Sequence, residues 1–148
     1  MARSDRKKRL VEAARRARQQ AVAPYSRLQV GAALLTRAGE IITGCNVESA
    51  SFGLTCCAER VALFKALSEG KKDFVALAVV TRLPGGAMPC GACRQVLAEF
   101  VPAGAEQDMV VIVVGRRNNQ VLHLGELLPH AFLPQHLHSE QGAGGSEQ

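Results

Sequence analysis

A three-layer α/β/α sandwich around a mixed β-sheet is the fold this sequence predicts, and three observations carry the prediction. Strand-like and helix-like patterns alternate along the second half of the chain. Two of the strand patterns, Phe74 to Thr81 and Met109 to Gly115, are nearly continuous apolar runs, as expected of strands covered on both faces. A hairpin pattern precedes them, so the sheet should combine antiparallel pairing with crossovers that lay helices over its faces.

From Asp5 to Val22 a thin apolar stripe (Leu10, Ala13, Ala14, Ala17 and Ala21) marks a helix otherwise covered by arginine and ended near Pro24, because proline excludes the helical region just before it. Leu28 to Thr36 and Glu40 to Val47 read as two strands joined by the polar Arg37-Ala38-Gly39. Cys57 to Glu69 is a helix pattern, with Val61, Phe64 and Leu67 in helical spacing and Gly70 as its stop. After the buried strand at Phe74, Leu83 to Pro89 is a Pro/Gly loop and Gly91 to Phe100 a helix. The strand from Met109 follows, then a short one at Val121 to Leu124. Residues 1–138 are expected to form one domain, with 1–22 as its basic N-terminal helix. Ser139 to Gln148, rich in Gly, Ser, Glu and Gln, is expected to be a flexible tail.

Charge is distributed unevenly. Eight of the 18 Lys and Arg lie in the first 18 residues, against two of the 13 Asp and Glu, so that arm carries +6 of a net +5 and the remainder carries −1. A single-stranded nucleic-acid groove needs positive charge along its length and stacking aromatics. Aromatic content here is 4%, with no Trp and one Tyr. No apolar stretch approaches the roughly 20 residues needed to span a bilayer, and the Arg-rich start lacks the apolar run of a signal peptide. A cytoplasmic protein without membrane partners is the expectation. Cys45, Cys56, Cys57, Cys90 and Cys93 then read as thiols for a metal or for chemistry rather than as disulfides.

Cys90 and Cys93 open the second predicted helix in Pro89-Cys90-Gly91-Ala92-Cys93. That spacing suits zinc or a redox dithiol. The thioredoxin-type reading is set aside because no strand leads the pair directly into its helix. Cys57 and Glu59 open the other helix, a thiol and a carboxylate in one turn, where the helix N-terminus favours thiolate. Three thiolates at two helix starts leave the fourth zinc position for water, the arrangement of a catalytic site. A closed structural site, with Cys56 or one of His123, His130, His136 and His138 as fourth ligand, is the alternative, although it would have no use for a Glu at 59. Cys45 and Cys56 otherwise read as small buried side chains.

Cys57-x-Glu59 with Pro89-Cys90-x-x-Cys93 is the pattern of zinc nucleobase deaminases. Over about Ala21 to Phe132 the sequence closely resembles the small homotetrameric cytidine deaminases of nucleoside salvage. The resemblance rests on Pro24-Tyr25-Ser26, Val30-Gly31-Ala32-Ala33-Leu34, Gly44-Cys45-Asn46-Val47-Glu48, Cys57-Ala58-Glu59-Arg60, Pro89-Cys90-Gly91-Ala92-Cys93-Arg94-Gln95 and Glu126-Leu127-Leu128-Pro129. It implies hydrolysis of cytidine and deoxycytidine to the uridines with release of ammonia. One Zn²⁺ per subunit would be held by Cys57, Cys90 and Cys93, with Glu59 as the proton-transferring catalytic residue. Arg60 matches an arginine that hydrogen-bonds ligand thiolates and withdraws charge from them. Asn46 and Glu48, on alternate positions, match a pair that binds the ribose 3′-hydroxyl, and backbone groups at Ala58 are expected at the pyrimidine edge.

Two positions depart from the family pattern. Leu28 stands where a Phe usually packs on the pyrimidine, and Phe52 stands where a Tyr usually meets the sugar end. Both bear on affinity and substrate preference rather than on the zinc chemistry. Phe132 matches an aromatic that the family inserts into a neighbouring subunit's site, which implies shared sites in a homotetramer. The competing readings are a deaminase of a related aminopyrimidine nucleoside, including blasticidin-type compounds, and a non-catalytic zinc-stabilised nucleic-acid-binding module supported only by the basic arm. Nucleic acid is not the expected partner.

Overall fold

The computed structural model describes residues 2–102, 104–105 and 108–138; the predicted tail from Ser139 to Gln148 lies outside them. Helix α1 (Arg3–Arg18) is followed by the hairpin β1 (Gly31–Thr36) and β2 (Ile41–Cys45), a 3-10 turn (Phe52–Leu54), helix α2 (Ala58–Ser68) and strand β3 (Phe74–Val80). Then come α3 (Gly91–Glu99), β4 (Val110–Val114), β5 (Asn119–His123), and the short helices α4 (Leu124–Leu127) and α5 (Pro134–His138). The five strands lie in the order β2-β1-β3-β4-β5. β3 and β4 pair in parallel and every other neighbour is antiparallel, so the sheet is mixed as predicted. Parallel pairing demands a crossover, and α3 lies within it.

Alternation along the strands sends successive side chains to opposite faces, and each face has its own core. On one face Leu10, Ala13 and Ala14 of α1 pack with Ala33, Ala76, Ala78, Val80, Ile112 and Val114. On the other, Ala62, Leu63 and Ala66 of α2 and Leu97 of α3 pack with Leu34, Leu77, Val79, Val111 and Val113. Each fully buried Leu or Val contributes roughly 1.5–3 kcal/mol relative to leaving it exposed. Two glycines set how closely the helices approach. A Cβ at Gly31 would meet the Ala14 carbonyl oxygen at 2.0 Å, and one at Gly44 would meet the Ala62 nitrogen at 2.4 Å.

That close approach corrects the stripe expected for α2. Its buried face is Ala58, Glu59, Ala62, Leu63 and Ala66, while Val61 and Leu67 are only half-buried and Phe64 is 47% exposed. Alanines fit against Gly44, and the bulkier residues are displaced to the flanks. Helix α1 also ends before the predicted Val22. Gln19, Gln20 and Ala21 each donate back three residues in a tightened last turn. Val22 is then taken by a parallel bridge to Val47. Strand β2 likewise stops at Cys45, so Asn46 and Glu48 lie just beyond it. Cys45, ending an edge strand, and Cys56, paired through an isolated bridge to Val47, are half-buried rather than buried as expected.

Candidate active site

Cys57 is the N-cap residue of α2 and Cys90 that of α3, and Cys93 lies in the first turn of α3. Neither cap side chain bonds its own helix, so both thiols are available to the site. The Cys57 and Cys90 sulfurs are 3.8 Å apart and those of Cys90 and Cys93 3.6 Å apart, and all three lie within 4.8 Å of one another. These separations exclude a disulfide, whose sulfurs sit about 2.05 Å apart. They fit zinc: a tetrahedral ion with Zn–S bonds of about 2.3 Å spaces its sulfurs about 3.8 Å apart. Among the described residues the group comprises these three alone, so neither Cys56 nor any of His123, His130, His136 and His138 closes it.

The Cys57 pKa is pulled down to about 5, first by a hydrogen bond from the Cys93 thiol and then, against burial, by the Arg60 guanidinium. Cys93, which keeps the proton, is driven up. Arg60 Nη2 donates to Cys57 Sγ at 3.6 Å and to the Thr55 carbonyl at 3.5 Å, and the guanidinium pKa rises in response. Arg60 Nε is buried with no hydrogen-bond partner among the described residues. Glu59, on the turn between Cys57 and Arg60, is 4% exposed. Burial pushes its carboxyl up to about 7, with the Cys57 thiolate adding to the rise.

A buried carboxyl titrating near neutrality, next to three thiols fitted for an open zinc site, is equipped to take and return protons. The model of the cytidine and deoxycytidylate deaminase zinc-binding region matches residues 4–106. The chain belongs to this deaminase family. Zinc is its cofactor, with Cys57, Cys90 and Cys93 positioned to hold it. A cytidine deaminase of Halalkalibacterium halodurans is 50% identical over 125 residues, covering 83% of this chain and 91% of that one. The crystal structure of the Burkholderia pseudomallei cytidine deaminase superposes with a TM-score of 0.78 at 46% identity, over 89% of this chain and all of that one. A blasticidin-S deaminase of Bacillus cereus is 37% identical over 82 residues, 49% of this deaminase chain and 58% of that one.

The remaining predicted residues fall into two groups. Ala58 is buried in the first turn of α2. Asn46, 7% exposed, accepts from Val30 N–H and donates to the Leu28 carbonyl, both at 2.8 Å. Glu48 accepts from Tyr25 and Ser26, so both side chains engage the segment that carries the half-buried Leu28. Phe52 is 73% exposed, with its ring edge-on to Tyr25 at 5.8 Å. Phe132 stands apart, 57% exposed and stacked on His136 at 5.5 Å. Sequence reasoning assigned no role to the residues that fasten these parts. Arg94 donates to the Pro89 carbonyl at 2.7 Å and the Leu127 carbonyl at 2.8 Å, and Gln95 to the Phe132 carbonyl at 2.7 Å, tying the C-terminal segment to α3. Ser26, Arg94 and Gln95 all lie inside the motifs, which was the available signal.

Proposed function

We propose that this protein hydrolyses cytidine and deoxycytidine to uridine and deoxyuridine with release of ammonia, a reaction of pyrimidine salvage. The observation that carries the proposal is geometric: the Glu59 carboxyl is buried in the first turn of α2, directly after Cys57-Ala58, on the helix whose N-cap joins Cys90 and Cys93 in a three-thiol group that fits zinc. A zinc ion held by Cys57, Cys90 and Cys93 supplies Lewis acidity and lowers the pKa of water toward neutrality. Glu59 takes one proton from the attacking water and passes it to N3 of the pyrimidine, then takes the second proton from the hydroxyl newly formed on C4 and gives it to the amino group, which leaves as ammonia. Burial raises the Glu59 carboxyl above its ordinary range, which makes it a better acceptor for the first proton.

Asn46 and Glu48 receive the ribose and its 3′-hydroxyl, Leu28 packs on the base, Ala58 backbone groups read the pyrimidine edge, and Phe52 flanks the sugar. Arg60 withdraws charge from the thiolates. Residues 1–138 act as one cytoplasmic catalytic unit with one zinc, and Phe132 completes the site of a neighbouring subunit in a homotetramer. Its exposure, together with that of Phe52 and Leu54 at 73% and 74%, supports a covered surface in the assembly.

The test is to incubate zinc-loaded protein with cytidine, deoxycytidine, cytosine and blasticidin S and follow the deaminated products. Both nucleosides should turn over and the free base should not. Product from neither nucleoside would overturn the proposal, and turnover of blasticidin S alone would assign the protein to the analogue deaminases.

A further inference from the structure

The groups assigned to the nucleoside are joined through a loop residue to which the reaction above gives no part. Glu48 accepts three hydrogen bonds from two consecutive residues. Tyr25 N–H and Ser26 N–H reach Oε1 at 3.0 and 3.1 Å, and the Ser26 hydroxyl donates to Oε2. The same Ser26 oxygen accepts from Leu28 N–H at 3.0 Å. Asn46 then grips Leu28 and Val30 from the other side. Between the two anchor points Arg27 is held at φ 59°, a left-handed conformation that a non-glycine residue keeps only when its surroundings enforce it. One hydrogen-bonded unit thus runs from Glu48 through Ser26 and Leu28 to Asn46.

A carboxylate offers about four acceptor positions, two on each oxygen. The loop fills both on Oε1 and one on Oε2, which leaves one on Oε2. That capacity suits a single hydroxyl. We propose that Ser26 is the positioning residue for sugar recognition: its hydroxyl fixes Glu48 with one free acceptor for one sugar hydroxyl and locks Leu28 at the matching place for the base. The proposal deepens the nucleoside reading of the same site and rests on it. In keeping with it, the Ser26 hydroxyl is the first reason the Glu48 carboxyl lies below the usual range, so the acceptor stays ionised.

The test compares zinc-loaded wild type, Ser26→Ala and Ser26→Thr on cytidine and on 2′,3′-dideoxycytidine, which lacks the 2′- and 3′-hydroxyls but keeps the 5′-hydroxyl. Ser26→Ala should raise KM for cytidine about tenfold, in line with losing one charge-assisted hydrogen bond. Its KM for dideoxycytidine should rise clearly less, because only the Leu28 anchor and not the Glu48 contact to a 3′-hydroxyl is then lost, and Ser26→Thr should restore KM for cytidine. Adding Ser26→Ala to Glu48→Gln should raise KM for cytidine by much less than Ser26→Ala does alone, because only the Leu28 anchor is then left to lose. An equal rise in KM for both nucleosides, an unchanged KM for cytidine, or full additivity with Glu48→Gln would each overturn the assignment. A wild-type enzyme inactive on cytidine would remove the nucleoside reading and this inference with it.

Discussion

Glu59 is held in the site at a cost to folding, and Glu59→Gln measures it. In the zinc-stripped protein the carboxyl titrates at about 7 instead of the ordinary 4.5 because it is buried. A folded-state pKa raised above the unfolded value means that the folded chain binds the proton more tightly. Below pH 4.5 both states are protonated and Glu59 costs nothing. Between 4.5 and 7 the unfolded chain ionises first, so stability falls as pH rises; above 7 the penalty is constant. The shift of about 2.5 units corresponds to about 3 kcal/mol. Gln has nearly the same shape and no charge, so Glu59→Gln should match the wild type at pH 4 and be more stable at pH 8 by up to about 3 kcal/mol. Urea denaturation of the two metal-free proteins from pH 4 to 8, read by circular dichroism, checks this. Parallel curves would show that burial does not raise the Glu59 pKa and would refute the proton-shuttle argument drawn from it. The zinc-loaded variant should keep its metal and lose at least roughly 10²-fold in kcat, the low end of general acid–base contributions.

Three further perturbations probe the supports of the site. Gly44→Ala sets a Cβ 2.4 Å from the Ala62 nitrogen, a backbone atom that yields only if α2 moves; it should cost roughly 1–3 kcal/mol in denaturation and also weaken zinc retention against a chelator, because α2 carries Cys57. Arg60→Ala removes the guanidinium 3.6 Å from Cys57 Sγ. It should lower kcat/KM by about 10-fold to 100-fold without abolishing it, and should slow alkylation of Cys57 at pH 6 in the metal-free protein by raising that thiol's pKa. Arg27→Gly relieves a left-handed residue at φ 59°. Its melting temperature should hold or rise, whereas Arg27→Val should lose about 1–3 kcal/mol by denaturation.

The parts of this architecture that rest on local pattern were legible in the sequence. The apolar runs at Phe74 and Met109 became the central β3 and β4, and the two Cys-bearing helix starts became one metal group. What was not legible depends on approach between distant segments. Periodicity on α2 pointed to Val61, Phe64 and Leu67, but the face toward the sheet is decided by the missing Cβ of Gly44, which only alanines can meet. Val22 fits a helical stripe as well as it fits the bridge to Val47 that claims it. The hydroxyl of Ser26, a residue of ordinary loop chemistry, matters because Glu48 comes within reach from 22 residues away.

The placement of charge follows from the same geometry. Three thiolates on one zinc ion leave the centre with a net charge of −1, which weakens it as an electron acceptor unless positive potential lies close by. The basic arm is the largest source of positive charge in the chain, yet α1 packs on one face of the sheet and α2 and α3 on the other. The whole thickness of the sheet therefore lies between them, and physiological salt screens exposed charges over roughly 8 Å. The arginines of α1 are thus poorly placed to tune the centre. Compensation falls to groups in contact with the sulfurs: the N-terminal ends of α2 and α3, whose caps are Cys57 and Cys90, and the Arg60 guanidinium. In the proposed reaction one turn of helix would present a ligand, a proton carrier and a charge-withdrawing cation, while the basic arm lies across the sheet from them.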